Sequence, residues 1–126
     1  MIIVGDSEET AQIHWVECNG RWGGTSIPMT LANRLIGDWR RAPMAVIERS
    51  GDHAPKWAFD AFCREMKTHL FRQGEPPVGA VVLTPSRIEA GAGYELLVLG
   101  EDQVDLRERT QAIAEIFAAR ASADPG

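Results

Sequence analysis

At 126 residues, with 44% hydrophobic and 25% charged side chains, the chain is long enough to bury a core as one domain and too apolar for disorder. Its formal charge of −5 argues against a protein whose main task is gripping nucleic acid or anionic lipid by bulk attraction, although a local basic face is compatible with it. The expected layout is a single globular domain over residues 1–121, followed by a flexible tail over 122–126 that begins within the run ASADPG.

The opening run, MIIVGDSEET, has no basic segment and turns acidic after a very short apolar stretch, so it does not read as a signal peptide. No stretch of the sequence approaches the length of a membrane span. Two cysteines, Cys18 and Cys63, are too few to define a disulfide framework, and reduced thiols in a cytoplasmic setting are the default. Arginine far outnumbers lysine and alanine is abundant, the codon bias of a high-GC bacterium or of a phage living in one.

MIIV and QIHWVEC read as strands, the second without strict alternation. Asn19-Gly20 offers the positive-φ pair of a type I′ turn. A first helix is expected from about Pro28 to Arg41, capped by Thr25 or Ser26, with Leu31, Leu35 and Trp39 along one stripe and Ile36 beside it. Arg40 and Arg41 fall in its last turn, and Pro43 closes it.

MAVIERS is the next strand. Asp52 is then placed to cap a second helix running to about Gln73, with Phe59, Phe62, Cys63, Met66 and Leu70 on its apolar face and Gly74-Glu75-Pro76-Pro77 as its stop. GAVVLT and YELLVLG are two more strands joined by a long turn, PSRIEAGAG, and the first of them is apolar enough to be covered on both faces. A last helix from about Asp102 buries Leu106, Ile113, Ile116, Phe117 and Ala121. The order is β-β-α-β-α-β-β-α. This predicts an α+β fold: one mixed, largely antiparallel sheet of about four to six strands with three helices packed on it, in two or three layers.

The eight residues NGRWGGTS pose the sharpest functional question. Arg21, Trp22, Gly23, Gly24, Thr25 and Ser26 lead into a helix start, and backbone N–H groups there could cradle an anion, with Arg21 as a bidentate partner. The lysine of a P-loop and the spacing of a dinucleotide fingerprint are both absent, and such glycine clusters are commonest as turn punctuation. The favoured reading is a turn and a flexible lead-in that leave Trp22 as a contact residue.

His14 and Cys18, if on one strand, stand roughly 13 Å apart, too far to chelate one metal without further ligands. Cys63 sits among apolar residues, and His69 lies about 240° round the same helix. His53 stands beside Asp52 at the mouth of that helix. A His53–Cys18 or His14–Cys63 dyad across the fold has no spacing to support it. No metal, cofactor or catalytic residue is therefore expected.

Lys56, Arg64, Lys67 and Arg72 decorate the second helix, where acids such as Asp38, Asp60 and Glu65 can pair with the cations of both helices. Trp22, Trp39 and Trp57 add aromatic surface of the kind used in interfaces and base stacking, or fill the core.

These readings favour a small non-catalytic accessory protein acting on another protein as adaptor, inhibitor or chaperone-like factor, with homodimer formation as a further option. The contact residues would be Arg21, Trp22, Gly23, Gly24, Thr25, Ser26, Arg40 and Arg41. A phosphate- or small-ligand-binding protein or enzyme using 19–26 is the first alternative, and a nucleic-acid binder using the basic helix edges is the second. No membrane partner is expected.

Overall fold

The computed structural model describes residues 2–4, 12–14, 26–50, 54–74 and 76–123. Two short strands come first, β1 (Ile2–Val4) and β2 (Gln12–His14), paired antiparallel with Ile3 opposite Ile13. Helix α1 (Ser26–Ile36), a 3-10 turn at Trp39–Arg41 and strand β3 (Met44–Ser50) follow. Then come α2 (Phe59–Glu65), β4 (Gly79–Val82), α3 (Pro85–Ala90), β5 (Gly93–Leu99) and α4 (Gln103–Ala123).

The fold is α+β, but the sheet is smaller than the four to six strands expected. Among the described residues the main sheet has three strands in the order β3-β5-β4, both pairs antiparallel, and β1-β2 form a separate ladder. The expected mixed pairing reduces to a single parallel bridge, Leu70 to Ala80.

β4 packs into the core on both faces, through Ala80 and Val82 on one side and Val81 on the other, and β5 is buried more deeply still. Its residues Leu96, Leu97, Val98 and Leu99 are all fully buried. Side chains alternate across a strand, so Leu96 and Val98 join Trp57, Phe62, Met66, Ile88, Ile113 and Phe117 on one side. Leu97 and Leu99 meet Ala32 of α1 on the other. The result is three layers, with α1 on one face of the sheet and α2, α3 and α4 on the other.

Three local expectations are corrected. The first helix does not run unbroken to Arg41. It ends at Ile36, where Gly37 takes the left-handed conformation (φ 85°), and Asp38 caps the separate 3-10 turn by accepting from Arg40 N–H. The apolar stripe survives this break, because Leu31, Leu35, Ile36 and Trp39 all pack on the Leu97–Leu99 cluster.

The second helix is shorter than expected at both ends. Residues 54–58 are not helical; Trp57 N–H donates to the Ile88 carbonyl at 3.2 Å, and the helix starts after Ala58. Asp52 lies outside the described residues. At the far end the helix stops at Glu65, and although Leu70 N–H still donates to the Met66 carbonyl, its neighbours bond to the sheet: the His69 carbonyl accepts from Ala80 N–H, and Phe71 N–H donates to the Ala80 carbonyl. Backbone partners on β4 thus take this segment from the helix that its side chains favour.

The third correction is the turn PSRIEAGAG, whose first six residues form α3 with Pro85 in its opening turn. It buries Ile88 and makes four α-helices among the described residues in place of the three expected. The long C-terminal helix begins where expected, with Asp102 Oδ1 accepting from Val104 and Asp105 N–H. It buries Leu106, Ile113 and Phe117, with Ile116 half-buried.

Candidate functional site

The two edges of the sheet are treated differently. Cross-strand pairs in an antiparallel ladder alternate between bonded and non-bonded, so alternate residues point their N–H and C=O groups away from the partner. Gly100 N–H donates to the Pro43 carbonyl at 3.0 Å, one residue beyond the Met44–Leu99 pair. Residues 43, 45, 47 and 49 therefore bond to β5, and Met44, Val46, Glu48 and Ser50 turn their backbone groups outward. On the opposite edge, the outward-facing Ala80 is closed by His69 and Phe71. No backbone partner closes the β3 edge among the described residues.

The face beside that edge is covered only in part: Met44 packs on the cluster beneath α1. α1 lies over β5 and β4, where Val81, Leu83 and Phe71 share its cluster. Val46, which pairs with Leu97 on that face, is left 41% exposed. Ala45 and Ile47, pointing the other way, pack against the larger core. At the end of β3, Arg87 of α3 donates to Glu48 at 3.1 Å and to the Ser50 hydroxyl at 2.6 Å, tying α3 across the sheet. That guanidinium, with the Ser50 hydroxyl, holds the Glu48 carboxyl below its ordinary range.

Of the residues expected to make contacts, Arg21, Trp22, Gly23, Gly24 and Thr25 lie outside the described residues. Ser26 is the first residue of α1. Arg40 and Arg41 are exposed in the 3-10 turn, and Arg40 is bonded to Asp38 at 3.0 Å, which lowers the Asp38 pKa and raises that of Arg40. Arg41 lines a cleft of about 250 Å³ with Ile36, Asp38, Pro77 and Glu101. The structure thus brings Arg41 to a cleft at the end of the sheet and leaves Arg40 in a local pair.

Across the Pro76–Val78 segment lies a second cleft, of about 440 Å³. Its polar lining is Thr68, Arg72, Gln73 and Arg109. Sequence reasoning placed Arg72 on a helix surface and did not single out Arg109. The spacing of Asp105 and Arg109 was a readable signal, since residues four apart on a helix pair; their bond is 2.8 Å long and depresses the Asp105 pKa.

Trp57 is a core residue. It is 1% exposed, with edge contacts to Phe62 and Phe117, and its indole N–H donates to Glu65 at 3.3 Å. Trp39 is half-buried, and Trp22 lies outside the described residues. Arg64 pairs with Asp60 at 3.0 Å, whereas Glu65 serves Arg120 and Trp57. Cys63 is a free, half-buried thiol against the core. Cys18, His53 and the side chain of His14 lie outside what is described, so neither dyad is described.

Among the described residues, no group of three or more His, Cys, Asp or Glu is arranged to hold a metal, and no helix is long and apolar enough to cross a membrane. Comparison of the chain with protein-family models, with curated proteins and with solved structures yields no match.

Proposed function

We propose that this is a small non-catalytic accessory protein of a bacterium or phage, working in the cytoplasm, that binds another protein by taking an extended segment of it onto the β3 edge. The carrying observation is the outward row of backbone groups at Met44, Val46, Glu48 and Ser50, beside the partly exposed Val46 side chain. Strand addition draws affinity from main-chain hydrogen bonds and specificity from alternate side-chain positions. Natural monomers usually blunt such edges with charge, proline or a bulge. Here Ala45, Val46 and Ile47 carry no charge, and the charged residues gather at the far end of the strand. In this reading Arg21, Trp22 and Arg41 contribute further partner contacts.

The outward direction of the Val46 N–H gives a clean test. Val46→Pro removes a donor that β5 does not use, and proline is tolerated on an edge strand. Photocrosslinking from an exposed position on β3 in the native host identifies the neighbour. The expected result is one protein partner, lost in Val46→Pro with the circular dichroism spectrum unchanged. A partner held equally well by Val46→Pro overturns strand addition. Crosslinks only to a second copy of the chain assign the edge to a homodimer instead.

A further inference from the structure

We propose that the cleft between residues 68–74, Pro76 and Val78 on one side and Arg109 of α4 on the other is an oxyanion site, in which Arg72 and Arg109 hold a carboxylate or phosphate carried on a small apolar body. This site is separate from the β3 edge and does not depend on how that edge is used. Its volume, about 440 Å³, falls in the range of small-molecule sites. Among its described lining residues are two cations, Arg72 and Arg109.

Both guanidiniums are held in place by bonds that leave donors over. Arg109 gives its Nε–H to Asp105 Oδ2 at 2.8 Å, and its side chain is only 28% exposed. Arg72 gives one Nη2 hydrogen to the Lys67 carbonyl at 3.3 Å. An arginine carries five donors in a fixed fork, so each retains several for a ligand, in the geometry that suits a carboxylate or phosphate. Asp105 is engaged twice, by Arg109 and by Glu101 N–H at 2.9 Å, and acts here as the anchor of Arg109.

The remaining walls divide by chemistry. Thr68 and Gln73 make no side-chain hydrogen bond among the described residues, while Leu70, Pro76 and Val78 supply apolar surface. The segment is pinned to the sheet by Phe71 N–H to the Ala80 carbonyl at 2.8 Å and Arg72 N–H to the Val78 carbonyl at 3.3 Å. An anionic head against the arginines, with an apolar body against Leu70 and Val78, uses every wall. Arginine held before binding loses less side-chain freedom on complex formation, so the cleft is partly preorganised.

The test uses the full chain with arginine Nε–Hε resonances as the readout, titrated separately with phenyl phosphate, hexanoate and inorganic phosphate. Saturable shifts confined to Arg72 and Arg109 are expected with phenyl phosphate or hexanoate, and the tighter of the two identifies the head group. Arg72→Gln and Arg109→Gln should each weaken that binding about tenfold or more, as loss of a charge-assisted bond does. Thr68→Val, which removes a hydroxyl that makes no hydrogen bond among the described residues, should weaken it less and leave the fold intact. Absence of localised, saturable shifts with both organic probes overturns the site. Inorganic phosphate binding as tightly as phenyl phosphate overturns the apolar-body assignment.

Discussion

The guanidinium carbon of Arg120 lies 5.2 Å from the centroid of the Trp57 ring, and the same arginine reaches Glu65 at 3.8 Å. Glu65 in turn accepts from the Trp57 indole, so three residues from three segments close one corner of the core. The Nε of Arg120 is buried there without a hydrogen-bond partner among the described residues. Arg120→Ala is expected to cost about 1 kcal/mol, within the range for cation–π contacts that are partly desolvated. Arg120→Met keeps the aliphatic stem and removes the unpartnered nitrogen, so it should cost less than the alanine variant. Urea unfolding of the two variants checks the order.

Phe62 is fully buried, stacked on Phe59 and close to Trp57 and Phe117. Phe62→Ala removes the centre of this aromatic cluster and is expected to cost about 3–5 kcal/mol. A urea-derived loss below about 1 kcal/mol would mean that the α2 face is not packed as described.

Gly93 starts β5 with φ 114°, and a Cβ built there would overlap the carbonyl oxygen of Arg49 on β3. Gly93→Ala therefore meets both backbone strain and a clash at the end of the β3–β5 ladder. A loss of at least about 2 kcal/mol is expected. Thermal melts will detect it, and amide exchange should show the ladder opening first near Arg49 and Tyr94.

Asp105 titrates below its usual value of 3.8, chiefly through its bond to Arg109. A carboxylate with a depressed native pKa contributes stability above its unfolded value, and that contribution is lost as pH falls through the native value. Wild type should therefore lose more stability than Asp105→Asn between neutral pH and the region below 3.8. Denaturant titrations at neutral pH and in acid measure the difference, which should shrink in high salt.

Apolar periodicity made the helix faces and strands legible before the structure. The stripe Leu31, Leu35 and Trp39, the burial of Phe62 and Met66, and the face of the last helix all follow from it. The departures arise where backbone bonding between distant segments decides. Leu70 fits a helical stripe, yet its neighbours His69 and Phe71 bond to Ala80. Pro85–Ala90 is too short to show a period, and only its packing of Ile88 reveals it as a helix. The sequence held Arg72 and Arg109 far apart, and only the fold brings both to one cleft. The open β3 edge was equally hidden, because strand order is not written in any single strand.

The central place of β5 also sets an order of assembly. Leu99 pairs with Gly79 on one side and with Met44 on the other, and the second partner is more than twice as distant along the chain. Closing a loop costs about 0.6 kcal/mol more for each doubling of its length. β4, α3 and β5 should therefore come together as the nucleus, with β3 docking late. Substitutions that weaken β3 should mainly speed unfolding, and those in β4 should slow folding. β3 is then the last strand to arrive and the first to leave.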